Sequence, residues 1–141
     1  MLMLAVTTGL TLALADRWTK AFIASRFTLG AERRLLPGVR LRYVRHRLNP
    51  TVVDEQRSRL VALLIAAASA LVWISTQTPL WQTPSAQAGL ALAIVGATSN
   101  AWDRIQHHAF VDFICIGRWP PFNLADAGIC AGVLIALAEL F

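Results

Sequence analysis

Residues 60–102 read LVALLIAAASALVWISTQTPLWQTPSAQAGLALAIVGATSNAW, and this run decides the fold class of the 141-residue chain. It contains 43 residues and not one Lys, Arg, Asp or Glu. One membrane-spanning helix takes about 20 apolar residues, so the run is long enough for two spans joined by a short turn. We therefore predict an integral membrane protein.

The composition of the whole chain points the same way. Hydrophobic residues make up 56% of the chain and charged residues 15%, and the mean hydropathy is +0.53. A soluble domain carries about 25% charged residues, and a disordered chain has low hydrophobicity, so both classes are disfavoured. The length suits one domain. We expect a single integral membrane domain over residues 1–141.

Four apolar stretches are predicted to span the membrane. A cleaved secretory signal is the alternative for the first of them, since Ala13-Leu14-Ala15 resembles a signal peptidase site. No basic residue precedes that stretch, however, so we expect it to be retained. The predicted fold class is an all-α membrane protein with four transmembrane helices at about residues 1–27, 60–75, 88–104 and 122–141.

The basic residues are concentrated in one segment. Eleven of the thirteen Lys and Arg lie between Arg17 and Arg59, and they account for a pI near 10.6. Such a pI is typical of nucleic-acid binding, but a basic segment between spans favours membrane lipid headgroups instead. We expect no nucleic-acid partner. Apolar and Arg residues alternate over 39–44, which predicts a strand and a small β-sheet between helices 1 and 2.

The Cys and His residues give no metal or redox motif. Cys115 and Cys130 are fifteen residues apart, which fits neither a zinc site nor a redox pair. His107 and His108 are adjacent, so on a helix or a strand their side chains point apart. We predict that the protein uses no metal and no cofactor.

A cluster of polar residues lies around the end of the third predicted span and the start of the fourth. Polar residues beside a membrane span are costly and are therefore candidates for function. A structural role is the alternative for some, since Asn123 and Asp126 have the spacing of a helix N-cap and its partner. The cluster consists of Asn100, Asp103, Arg104, Asp112, Asn123 and Asp126.

Asp112 and Asp126 are candidates for acid–base catalysis. They are fourteen residues apart, with Pro120-Pro121 forcing a non-helical return between them, so they can face each other. Two carboxylates in a poorly hydrated site share a proton and can activate a water molecule. Asp126 begins a predicted helix, whose dipole favours a negative charge there. Asp112 is then the expected holder of the shared proton.

Four segments resemble motifs of the lipoprotein signal peptidase (signal peptidase II) family. DRWTK at residues 16–20 resembles the D-Q-x-T-K box, and GATSNAWDR at 96–104 resembles G-x-x-G-N-x-x-D-R. VDFI at 111–114 and WPPFNLAD at 119–126 match V-D-F-I and W-P-x-F-N-x-A-D. Order and spacing agree along nearly the whole chain, so the motifs are specific as a set.

The resemblance implies a four-helix aspartic endopeptidase with a small extracytoplasmic sheet. Such enzymes cut diacylglyceryl-modified prolipoproteins before the lipidated cysteine, in the bacterial cytoplasmic (inner) membrane, with the active site on the extracytoplasmic side. We expect a monomer. Asp112 and Asp126 correspond to the catalytic pair. The residues that correspond to substrate-binding or supporting positions are Asn100, Arg104, Asn123, Asp103, Asp16 and Lys20, the last two being an i, i+4 pair expected to neutralise each other.

The chain departs from the family pattern in three segments. Arg17 replaces a Gln, and Ser99 replaces a Gly. After Tyr43-Val44 the family reads x-N-x-G-A-A-F, whereas this chain has His46 in place of the Asn and Leu48 in place of the Gly. His can donate a hydrogen bond as Asn does, so we expect His46 to take over substrate recognition, although Leu lacks the backbone freedom of Gly.

The charge distribution and the family resemblance predict opposite orientations in the membrane. The positive-inside rule places the Arg-rich segment 26–59 in the cytoplasm, whereas the family places it outside, and we follow the family. Two alternatives to a peptidase stay open. One is a non-catalytic relative that binds lipid or lipopeptide. The other is a small transporter subunit, which leaves the ordered motifs unexplained.

Overall fold

The computed structural model describes residues 2–47, 83–107 and 109–139. The second predicted span, 60–75, and the family departure at Leu48 lie outside these residues. In chain order the described elements are α1 (Leu2–Arg26), β1 (Glu32–Leu36), β2 (Val39–Arg47), α2 (Pro84–His107), β3 (Ala109–Ile116) and α3 (Leu124–Ala138).

The three described helices coincide with three of the four predicted spans. Helix α2 begins at Pro84, four residues before the expected start, because Thr83 caps it: the Thr83 hydroxyl accepts the Ala86 N–H at 3.3 Å. Proline also suits the first position of a helix. None of the helices in the described part of the chain combines the length and the hydrophobicity that a membrane crossing needs. Four transmembrane helices therefore stay a prediction.

The sheet has three antiparallel strands in the order β1-β2-β3. The expected strand at 39–44 is confirmed as β2, which is joined to β1 by Pro37-Gly38, where Gly38 takes a positive φ of 82°. The sheet was predicted to lie between the first and second spans. That prediction was wrong in one respect, because β3 follows α2, which corresponds to the third predicted span. The residues of β3 are mainly apolar and aromatic, which suits a strand. Strand β3 pairs with the edge of β2 that β1 leaves open, and Val44 lies opposite Asp112.

A small apolar core joins α1 to the sheet. Ile23, Tyr43 and Phe113, from α1, β2 and β3, are at most 9% exposed and pack together. The contact places the C-terminal half of α1 against the face of the sheet that Tyr43 and Phe113 share. The polar residues of α1 are therefore held close to β3.

Small residues bring α2 and α3 into close contact. A Cβ atom added to Gly96 would lie 2.5 Å from the carbonyl oxygen of Ala125, and one added to Gly132 would overlap the backbone of Gly89. The two helices touch through their backbones at these points. Asn100, one turn after Gly96, consequently lies at the N-terminus of α3.

We expect Gly96→Ala to lower the free energy of unfolding by about 1–3 kcal/mol, since a backbone oxygen cannot move aside as a side chain can. Thermal unfolding in detergent measures the effect. Gly9→Ala is the matched control, because its nearest neighbour is a methyl group of Val95 at 3.0 Å and the gain in helix propensity is about 1 kcal/mol. Equal melting temperatures for the two variants would contradict the close backbone contact.

Candidate active site

A buried ion-pair network lies on the inner side of α1. Lys20 Nζ donates to Asp16 Oδ2 and to Asp103 Oδ2, both at 2.6 Å. Asp16 is fully buried and Lys20 is 6% exposed. The predicted i, i+4 pair is therefore present, and it has a second carboxylate from α2. Buried charges of this kind are tolerated only when they are paired and hydrogen-bonded.

Asp16 also holds the N-terminus of α3 in place. Its Oδ1 accepts the backbone N–H of Ala125 at 3.0 Å, and its Oδ2 accepts the hydroxyl of Ser99 at 2.6 Å. One carboxylate thereby connects α1 to α2 and α3. Sequence reasoning missed this role of Ser99, which it treated only as a departure from a family glycine. A hydroxyl directly before Asn100, on a helix of small apolar residues, was the available signal.

Asn123 and Asp126 form the predicted capping box. Asn123 Oδ1 accepts the backbone N–H of Asp126 at 3.0 Å, and Asp126 Oδ2 accepts the backbone N–H of Asn123 at 3.1 Å. The two bonds satisfy N–H groups that the first turn of a helix otherwise leaves without a partner. Capping thus explains part of the arrangement, and the side-chain contacts beyond α3 need another explanation.

Those contacts bring Asp112 and Asp126 to the same amide group. Asn123 Nδ2 donates to Asp112 Oδ1 at 2.9 Å, while the other end of this side chain binds the Asp126 backbone. The strand and the helix meet here because Phe122 pairs with Ile114 of β3 through backbone hydrogen bonds of 2.8 and 3.0 Å. Asn123 is 1% exposed, so its amide is fixed between the Asp112 carboxylate and the Asp126 backbone.

Asn100 connects the carboxylate pair to the ion-pair network. Its Nδ2 donates to Asp126 Oδ1 at 2.6 Å. Its Oδ1 accepts from Asn123 Nδ2 and from Lys20 Nζ, both at 3.2 Å. Asp126 therefore accepts a hydrogen bond at each of its carboxylate oxygens. The orientation of Asp126 is fixed from two sides.

The structure brings together seven of the nine residues that the sequence singled out, namely Asp16, Lys20, Asn100, Asp103, Asp112, Asn123 and Asp126. Arg104 is half-buried on α2, directly after Asp103. His46 lies on β2, two residues beyond Val44, which pairs with Asp112. The side chain of His46 is outside the described part of the structure.

The arrangement suits acid–base chemistry between two carboxylates. Within residues 2–47, 83–107 and 109–139, no three His, Cys, Asp or Glu side chains are grouped as metal ligands. Two carboxyl groups are available for chemistry. The amides of Asn100 and Asn123 hold them beside the buried ion-pair network. A carboxyl pair can take a proton from water and give one to a carbonyl oxygen.

Known proteins resemble this chain in sequence and in fold. The model of a family described as signal peptidase (SPase) II matches residues 8–141. The lipoprotein signal peptidase of Syntrophomonas wolfei is 34% identical over 137 residues, which cover 93% of this chain and 89% of that protein. The enzyme of the same name from Cellvibrio japonicus is 35% identical over 85 residues, which are 57% of this chain and about half (49%) of that protein.

A solved structure of a bacterial membrane enzyme, obtained by the in meso method, has a similar fold. The TM-score is 0.79 at 22% sequence identity, and the superposition covers 97% of this chain and 92% of that one. At this level of identity the likeness concerns the fold.

Proposed function

Since the chain belongs to the signal peptidase II family, we propose that it is a membrane aspartic endopeptidase that removes the signal peptide of lipid-modified prolipoproteins. The cut falls before the diacylglyceryl-modified cysteine. The observation that carries the proposal is that two contacting amides each bind one carboxylate, Asn123 that of Asp112 and Asn100 that of Asp126. A helix cap alone requires no carboxylate on a neighbouring strand.

In the proposed mechanism Asp126 is the base and Asp112 the acid. Asp126 lies in the first turn of α3, where the helix dipole favours negative charge, and both of its oxygens accept hydrogen bonds. It takes a proton from a water molecule, and that water attacks the scissile carbonyl carbon. Asp112 donates its proton to the carbonyl oxygen. The tetrahedral intermediate then collapses as Asp126 gives its proton to the peptide nitrogen, which leaves as the amine, and Asp112 takes back a proton from one hydroxyl of the intermediate.

The other site residues position the pair. Asn100 and Asn123 fix the two carboxyl groups, and the network of Lys20 with Asp16 and Asp103 holds α1, α2 and α3 around them. We assign substrate binding to Arg104 on α2 and to His46 on β2. Neither a metal nor another cofactor has a part in the proposed reaction.

The direct test uses purified full-length protein and one precursor in two forms, with and without the diacylglyceryl group. We expect cleavage of the lipidated form only. Cleavage of both forms equally would overturn the lipid requirement. Saturable binding of the lipidated precursor without any cleavage would instead support a non-catalytic relative that binds lipopeptide.

The proposed location is the bacterial inner membrane, in a single multi-pass domain with the site on the extracytoplasmic side. Both termini are then cytoplasmic, and residues 28–59 and 105–120 lie outside. Reporter fusions that are active only inside or only outside the cytoplasm, inserted after Arg45, measure the orientation. We expect the extracytoplasmic signal. A cytoplasmic signal at this position would overturn the placement of the carboxylate pair.

We expect His46→Ala to weaken substrate capture more than the chemical step, because His46 occupies the position of the family's substrate-contacting Asn. KM for a lipidated precursor should rise several-fold while kcat changes less. His46→Asn, which restores the family residue, is the matched variant and should keep KM low. Unchanged KM in His46→Ala would show that the segment has no role in recognition.

A further inference from the structure

The proposed peptidase site makes no use of the opposite end of the sheet. There the turn after β1 and the turn after β3 lie side by side, and the Gly117 N–H donates to the Gly38 carbonyl at 2.9 Å. Around these turns the large side chains are exposed, Trp119 to 75% and Leu36 to 65%. We call this the tip surface and define it by Arg33, Arg34, Leu35, Leu36, Arg40, Ile116, Arg118 and Trp119.

The exposed apolar side chains of the tip surface need an explanation of their own. An exposed Leu on a helix of a membrane protein can face lipid, but a short sheet outside the spans has no such surroundings. Contiguous exposed apolar side chains mark a surface that binds something. Tryptophan beside leucines is typical of the boundary between lipid headgroups and acyl chains.

The charges on the tip surface are predominantly positive. Arg40 pairs with Glu32 at 3.3 Å, and both side chains are partly exposed. Within the described residues, Arg33, Arg34 and Arg118 have no carboxylate partner. A cleft of about 630 Å³ is lined by Arg34, Leu36 and Arg40 among others. The tip surface therefore offers cationic groups around an apolar floor.

From these two properties together we propose that the tip surface binds the headgroup of an anionic phospholipid. The guanidinium groups of Arg34 and Arg40, which lie opposite each other on β1 and β2 and both line the cleft, hold the phosphate, a geometry for which arginine is well suited. Leu36 and Trp119 enter the boundary between headgroups and acyl chains. Apolar insertion and electrostatic attraction are each weak alone, and stable interfacial binding takes both.

Such binding would also set the height of the peptidase site above the membrane. Ile116 is four residues from Asp112 on β3, a distance of about 13 Å along an extended strand. A lipid held at the tip surface thus places the carboxylate pair at a fixed distance from the headgroups. The inference concerns lipid binding and does not depend on peptidase activity.

The test is a titration of the full chain in detergent, with a fluorophore attached through Leu35→Cys in a Cys130→Ala background. Cys115 is buried and stays unlabelled. The ligands are short-chain phosphatidylglycerol, short-chain phosphatidylcholine and inorganic phosphate. We expect phosphatidylglycerol to bind at least about tenfold more tightly than phosphatidylcholine, since two arginines near a headgroup each strengthen binding about fivefold. Inorganic phosphate should give no response.

The variants separate the effect of the positive charges from that of the exposed apolar side chains. Arg34→Gln with Arg40→Gln should weaken phosphatidylglycerol binding by about 25-fold, and Leu36→Ser should weaken it as well. Arg17→Gln with Arg26→Gln removes the same charge outside the tip surface and should leave the affinity unchanged. If the first pair does not fold, as judged by melting temperature, Arg34→Gln alone replaces it with an expected loss of about fivefold.

Three results would overturn the proposal. One is equal affinity for the two lipids, and another is an equal loss of affinity in the two pairs of arginine variants. The third is a response to inorganic phosphate that matches the response to phosphatidylglycerol, which would indicate a simple anion site. An unchanged affinity in Leu36→Ser would overturn apolar insertion.

Discussion

Replacing either carboxylate of the pair is expected to abolish cleavage while the protein stays folded. In Asp112→Asn and in Asp126→Asn the shape of the side chain is kept and the acid–base function is lost. General acid–base catalysis contributes about 10²–10⁴-fold, so we expect kcat to fall by at least about 10²-fold in each variant. The measurements are initial cleavage rates of a lipidated precursor and the melting temperature.

The control for this experiment is Glu32→Gln, which removes an exposed carboxylate from the same small sheet. It should leave kcat unchanged. A role for Asp126 in capping alone predicts a different outcome, because asparagine in the first turn would lower stability slightly and leave turnover intact. Full activity in either Asp variant would end the assignment of the pair as catalytic.

The second large effect is expected from Lys20→Met. This substitution leaves Asp16, which is fully buried, and Asp103 without their shared cation. Breaking a buried ion pair costs about 3–5 kcal/mol, because an uncompensated charge stays buried. We expect the melting temperature to fall by at least about 10 °C, with cleavage reduced as α1 loosens from α2.

Two further variants decide whether the loss comes from the charge. Lys20→Met combined with Asp16→Asn removes both partners of the i, i+4 pair and should recover part of the stability. Arg40→Met breaks the exposed pair with Glu32 and should cost at most about 1 kcal/mol. If Lys20→Met and Arg40→Met melt at the same temperature, the buried network does not stabilise the fold.

Features of the fold that depend on neighbours in sequence could be predicted from the sequence. The capping box of Asn123 and Asp126 and the pair of Asp16 and Lys20 each lie within one helical turn. Their spacing alone specifies the contact. The motifs added the prediction that distant segments meet, and the contacts of Asn100 with Lys20 and Asp126 agree with it.

Contacts between distant segments that no pattern encodes were missed. The pairing of β3 with β2 depends on backbone hydrogen bonds between residues about 70 apart. The apolar residues around Asp112 did not predict a strand there or its pairing with β2. The bond from Ser99 to Asp16 spans 83 residues. It also gives the departure at Ser99 a physical meaning, because the added hydroxyl binds the buried carboxylate.

We propose that Asp112 and Asp126 together cut a lipid-modified precursor before its modified cysteine. The most direct measurement is the intact mass of the product formed by the unaltered protein and by Asp112→Asn, side by side, from one lipidated precursor. We expect a product that begins at the diacylglyceryl-cysteine with the unaltered protein and no product with the variant. A product that begins elsewhere, or the same product at the same rate from Asp112→Asn, would contradict it.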